Sequence, residues 1–185
     1  MVGQNIRRIW VATVGCLLAG IHAPAISQGA SPTQRGNPLS AFIGEWTLKN
    51  DLFQQVWDGK TVETITIPKH FTKCDPINTE GSVLCVVSAG HLKGHILWVM
   101  GANRHVHHLS HFGTERSGVG VGMLDERSNL ALKISFRDEP EGTYRLYNYT
   151  WVSRDEYTMM SRQYDKHGRA TGNWYGGTFI RLPRL

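Results

Sequence analysis

Four of the nine histidines in this chain fall within seven residues, His105-Val106-His107-His108-Leu109-Ser110-His111. If this segment is a strand, alternate side chains leave on opposite faces. His105, His107 and His111 then share one face with Leu109, and Val106, His108 and Ser110 share the other. Same-face neighbours stand roughly 7 Å apart, a span that two imidazoles can bridge around a borderline metal such as zinc. His95, His91 and Glu115 lie close enough in sequence to offer a third ligand, so His105, His107 and His95 form one candidate metal set. A single imidazole in a dry pocket would equally suit haem. Without a metal, the same side chains either line a polar cavity or stand solvated outside. Both faces of the segment are mixed, so its inward sense stays open.

A second segment carries aromatic groups with polar handles. Along Tyr144 to Trp151, one face presents Arg145, Tyr147, Tyr149 and Trp151, and the other presents Tyr144, Leu146, Asn148 and Thr150. Aromatic walls with a few polar atoms are typical of small-molecule pockets. The candidate pocket set is therefore His105, His107, His111, Tyr147, Tyr149 and Trp151.

Signatures of covalent or phosphoryl chemistry are missing: there is no Gly-x-Ser-x-Gly, no phosphate loop and no His-Glu-x-x-His. The acid pairs Asp125-Glu126, Asp138-Glu139 and Asp155-Glu156 sit in turn-like stretches, where solvated charge is expected. An enzyme acting on a small exported substrate would need a cavity histidine oriented by a carboxylate, and no spacing in the chain shows that pair. A binding protein without cofactor is the main expectation. A transition-metal or haem protein and an enzyme are the alternatives.

These residues would be positioned by strands. Segments 44–51, 60–67, 82–89, 94–100, 105–112, 117–124, 129–136, 143–152, 156–164 and 170–181 alternate or are rich in β-branched and aromatic residues. Asp58-Gly59, Thr79-Glu80-Gly81, Glu141-Gly142 and Lys166-His167-Gly168 punctuate them as hairpin turns. A short helical turn is expected at 38–42. Val119, Val121 and Met123 oppose Gly118, Gly120 and Gly122, a row that lets a strand bend or a neighbour approach closely. The predicted fold is all-β, an antiparallel up-and-down barrel of about 8–10 strands, since closure removes exposed edges. A barrel of that size is wide enough for one small ligand.

Gly44-Glu45-Trp46 on the first strand and Phe179-Ile180-Arg181 on the last suit such a barrel, the indole plugging its floor and the guanidinium lying across it. Leu39 to Leu48, together with the mid-chain Gly101-Ala102-Asn103-Arg104 and the terminal Arg181, resembles the lipocalin superfamily, and more narrowly a bacterial lipocalin-like family of unknown function. The resemblance spans about residues 39–182. It implies a barrel with a binding capacity and no established reaction, and it implies structural roles for Gly44, Trp46 and Arg181. The histidine-rich strand departs from the family's aromatic and aliphatic pattern.

Residues 1–25 read as a secretory signal: Arg7-Arg8, an uncharged apolar run from Ile9 to Ile21, and Ala23-Pro24-Ala25 for cleavage. The run is short for a membrane span, and no later segment approaches ~18 apolar residues. Residues 26–38 read as a flexible leader, and 39–185 as one domain exported to the periplasm or beyond. The chain carries 20 Lys+Arg against 15 Asp+Glu, interspersed without a basic stripe, which argues against nucleic-acid or membrane-surface binding. In an oxidising compartment Cys74 and Cys85, flanking a turn, are expected to form a disulfide. Closing that loop would contribute about 2–3 kcal/mol.

Overall fold

Alternation gives each short strand one face to bury, and antiparallel neighbours joined by tight turns bury those faces together. The structure, a computed structural model that describes residues 36–183, is built in this way. The signal segment 1–25, the leader up to residue 35 and the last two residues lie outside the described residues. The strands are β1 (Gly44–Val56), β2 (Glu63–Thr66), β3 (Phe71–Pro76), β4 (Ser82–Ala89), β5 (Leu92–Met100) and β6 (His105–Phe112). They continue as β7 (Arg116–Leu124), β8 (Leu130–Phe136), β9 (Tyr144–Ser153), β10 (Glu156–Tyr164) and β11 (Ala170–Arg181). Among the described residues, helix is confined to single 3-10 turns at Ser40–Phe42 and Ala102–Arg104.

From β3 onward each strand pairs with the next in sequence, and β11 pairs back on β1, which also pairs with β3. The result is a closed, antiparallel barrel of ten strands. The short β2 is a flap on the far half of β1, matching Leu52 with Thr66 and Gln55 with Glu63.

Beyond strand ends that move by one to three residues, the structure differs from the sequence expectation in one strand's extent and in one added strand. The segment read as 44–51 runs on to Val56. Asn50 and Asp51 look like a strand end, but both take the left-handed conformation (φ 58° each) and the register shifts between Leu48 and Phe53. Asn and Asp tolerate that conformation, so the strand bulges instead of stopping. The other difference is β3, which falls between the expected strands 60–67 and 82–89 and is not among them. Pro68 and the positive φ of Lys69 break the neighbour of β1 into β2 and β3, and Cys74 then falls directly opposite Cys85 on β4 in a disulfide.

The core lies inside the barrel. Leu130, Leu132, Ile134 and Phe136 of β8 all point inward and are buried. The adjacent β7 is inverted, with Gly118, Gly120 and Gly122 facing in and Val119, Val121 and Met123 exposed outside. A Cβ at Gly118 would stand 2.7 Å from the Phe136 ring, and one at Gly120 would stand 2.8 Å from Ile134 Cγ1. The glycine row therefore gives room to the large side chains of β8.

One end of the barrel is closed by the 3-10 turn Ser40–Phe42 and by Trp46. Trp46 Nε1 donates to the Phe42 carbonyl at 2.9 Å, and the Arg181 guanidinium lies 4.1 Å from the centroid of its indole. Arg181 also donates to the carbonyls of Ile43 (2.6 Å) and Ala41 (2.9 Å) and to Asp155 (2.8 Å).

Candidate functional site: a cavity inside the barrel

Above this floor the side chains do not meet, leaving a cavity of about 370 Å³. It reaches from Trp98 and the Cys74–Cys85 disulfide to Trp57, Leu92 and Phe112. Trp57 follows the last residue of β1, Leu92 opens β5 and Phe112 closes β6. In an up-and-down barrel those positions stand at the end opposite Trp46, so the cavity opens there. Trp57 and Leu92 are 50% and 44% exposed at this mouth. The wall is mainly aromatic and aliphatic, with Phe53, Val87, Ile96, Phe136, Met159 and Phe179 among its residues.

Few polar side chains reach the cavity. His108 is 4% exposed and pairs with Trp98 across the β5–β6 ladder. Trp98 Nε1 donates to His108 Nδ1 at 3.0 Å. An indole nitrogen only donates, so His108 Nδ1 must be bare and the ring proton sits on Nε2. That Nε2 is buried and has no hydrogen-bond partner among the described residues. Burial pulls the His108 pKa down from its ordinary value to about 4, so the ring is neutral at pH 7.

His70 sits in the break between β2 and β3, its carbonyl accepting the Thr47 hydroxyl at 2.7 Å. Its ring lies edge-on to Phe179, with Nε2 at 3.5 Å from the Thr72 hydroxyl. Burial lowers its pKa to about 4, against a smaller opposing pull from Asp51. No carboxylate is hydrogen-bonded to either His70 or His108 among the described residues.

Tyr147 and Tyr149 of β9 and Tyr157 of β10 line the cavity, and burial raises the pKa of all three, keeping their protons on. The Tyr147 hydroxyl is hydrogen-bonded to that of Tyr175.

Near the mouth, Arg116 lines the cavity while its guanidinium binds Asp138 (2.5 Å) and Glu139 (3.1 Å) and lies 3.9 Å from the Phe136 ring centroid. Glu139 also accepts from Arg145 Nε at 2.5 Å and from Gln163 at 3.1 Å. The Arg145 guanidinium lies 4.8 Å from the Tyr175 centroid and 5.1 Å from that of Trp57. Two cations and two carboxylates thus balance at this end.

The histidines singled out from the sequence are placed differently. His105, His107 and His111 are exposed on the outer face of β6 and do not line the cavity, which corrects their assignment to the pocket. The alternation was read with the correct period, and the inward face is the one bearing His108. His95 is also exposed and stands opposite His111, whereas His107 stands opposite Val99. Four residues of β5 therefore separate His95 from the level of His107, roughly 13 Å at strand rise. The set His105, His107 and His95 is not assembled, and no group of three or more His, Cys, Asp or Glu among the described residues is placed to hold a metal ion.

Tyr147 and Tyr149 do face the cavity, but Trp151 on the same face sits lower. It packs against Trp46, Phe42 and Tyr157 and donates to the Ser128 carbonyl at 2.8 Å. Sequence reading missed His70, Trp98 and Arg116. The strongest available signal was the Val106-His108-Ser110 face of β6, where one histidine lies between small or apolar neighbours as a buried histidine would.

No family model matches the chain, and no curated protein matches it. Among solved structures, a protein of unknown function from the DUF3598 family of Nostoc punctiforme aligns over 79% of this chain and 98% of its own, at 10% identity and a TM-score of 0.22.

Proposed function

We propose that this protein is an exported, lipocalin-like container that binds one small, largely apolar molecule inside its barrel. The observation that carries the reading is the cavity of about 370 Å³, within the range of roughly 300–1,000 Å³ usual for small-molecule sites, with an aromatic wall and few polar atoms. The disulfide supports an oxidising compartment, and the apolar run at Ile9–Ile21 supports export. A haem or metal reading draws less support. A ligating imidazole normally donates its second ring N–H to an acceptor, whereas His108 Nδ1 accepts from Trp98, so the other nitrogen carries the proton and has no lone pair for a metal.

The test uses N-phenyl-1-naphthylamine, an uncharged apolar fluorophore. Saturable one-to-one brightening is expected. Val87→Phe, which enlarges a buried wall residue, should weaken it at least several-fold. Binding that does not saturate, or that ignores Val87→Phe, would refute the container.

A further inference from the structure

We propose that the cavity selects uncharged ligands that carry a hydrogen-bond acceptor, a carbonyl above all, to which the Nε2–H of His108 donates. This deepens the container reading and rests on it.

The first argument is the direction of the hydrogen bond. Trp98 can only donate, so its bond to His108 Nδ1 fixes the tautomer and leaves one N–H of His108 to be satisfied. That nitrogen is buried without a partner among the described residues, on a residue that lines the cavity. A buried donor left unmade is costly, and a ligand oxygen would relieve it. An alcohol or amine could also accept through a lone pair but would bring its own N–H or O–H to be desolvated, whereas a carbonyl oxygen accepts and brings no donor.

The second argument is charge. Among the lining residues Arg116 is the one Lys, Arg, Asp or Glu, His70 and His108 are neutral at pH 7, and burial keeps the protons on Tyr147, Tyr149 and Tyr157. Arg116 is already held by Asp138 and Glu139. Arg145 Nη1 is buried without a partner among the described residues, but the guanidinium is tied to Glu139, flanked by Trp57 and Tyr175, and is not part of the cavity wall. A ligand carboxylate would lose its hydration inside this wall without gaining a free cation.

The test compares three probes on one naphthalene skeleton by their displacement of N-phenyl-1-naphthylamine from the full chain. They are 2-acetylnaphthalene, with a carbonyl; 2-ethylnaphthalene, without an acceptor; and 2-naphthoate, with a negative charge. The ketone is expected to bind about three- to tenfold tighter than the hydrocarbon, the yield of one hydrogen bond, and 2-naphthoate is expected to bind weakest. In His108→Phe the ratio of ketone to hydrocarbon affinity should fall to about one, whatever the change in fluorophore affinity, because that ratio cancels any general change in the wall. If that variant fails to fold, the probe series on the unaltered protein decides alone. A ketone no tighter than the hydrocarbon overturns the donor, and 2-naphthoate equal to or tighter than the ketone overturns the charge argument, both leaving the container standing. If the fluorophore itself does not bind, the container falls and this inference with it.

Discussion

Trp98 Nε1 donates to His108 Nδ1 across 3.0 Å, joining two residues that face each other on adjacent strands. The bond leaves a neutral histidine with an unpartnered Nε2–H among the described residues, on a residue of the cavity wall. In nitrogen NMR spectra at pH 7, His108 is expected to show a bare Nδ1 and a protonated Nε2. The reverse tautomer would contradict the geometry. Trp98→Phe, which removes the indole N–H and so frees Nδ1, should mix the two tautomers.

Acid should destabilise this protein in a window set by its two buried histidines. Burial holds the folded-state pKa of both His70 and His108 at about 4, below the ordinary 6.5. Between those values the unfolded chain binds protons that the folded chain refuses, so stability falls as pH drops from about 6.5 to about 4 and is fully present above 6.5. Each histidine contributes up to about 1.4 kcal/mol per pH unit there. The depressed carboxyls Asp58, Asp125 and Asp165 act only below their ordinary 3.8, so they do not shape this window. Urea midpoints at pH 7, 6 and 5 check the slope, which His108→Gln should reduce.

Glu139 holds together the charged layer near the mouth. Its carboxylate is 7% exposed and meets Arg145, which is 1% exposed. Glu139→Gln would leave that guanidinium buried without its counter-charge, at an expected cost of about 3–5 kcal/mol. Replacing both partners, Glu139→Gln with Arg145→Met, should cost less than Glu139→Gln alone. Chemical denaturation of the single and double variants distinguishes this from a surface pair, whose loss would cost about 0–1 kcal/mol.

The floor depends on a glycine that makes room for an arginine. Gly44 has φ 133°, and a Cβ there would stand 2.5 Å from Arg181 Nη1. Gly44→Ala is expected to cost on the order of 1–3 kcal/mol, from the strained backbone and the displaced guanidinium, and to shift Trp46 fluorescence. Arg181→Lys should behave similarly, because one ammonium cannot reach two carbonyls and a carboxylate while lying flat over an indole. An unchanged melting temperature in both variants would show that the floor does not depend on this contact.

The sequence by itself determined most of the strands and their punctuation, β3 excepted. The period of two in β6 and β8, the glycine-bearing turns and the Cys74/Cys85 pair are local signals, and they sufficed for an all-β meander closing on itself. They did not reveal that Asn50 and Asp51 extend a strand through a bulge, since the same residues also end strands. Nor did they settle which face of the histidine strand turns inward. A period of two defines two faces without choosing between them, and in β6 both faces are mixed. Tertiary structure made that choice. With Phe136 and Ile134 of β8 packed over the glycines of β7, and Trp98 of β5 opposite His108, the ladder carries His108 inside and leaves His105, His107 and His111 outside. The place of His108 in the cavity wall follows from registry between neighbouring strands, which is why it appears only once the barrel is closed.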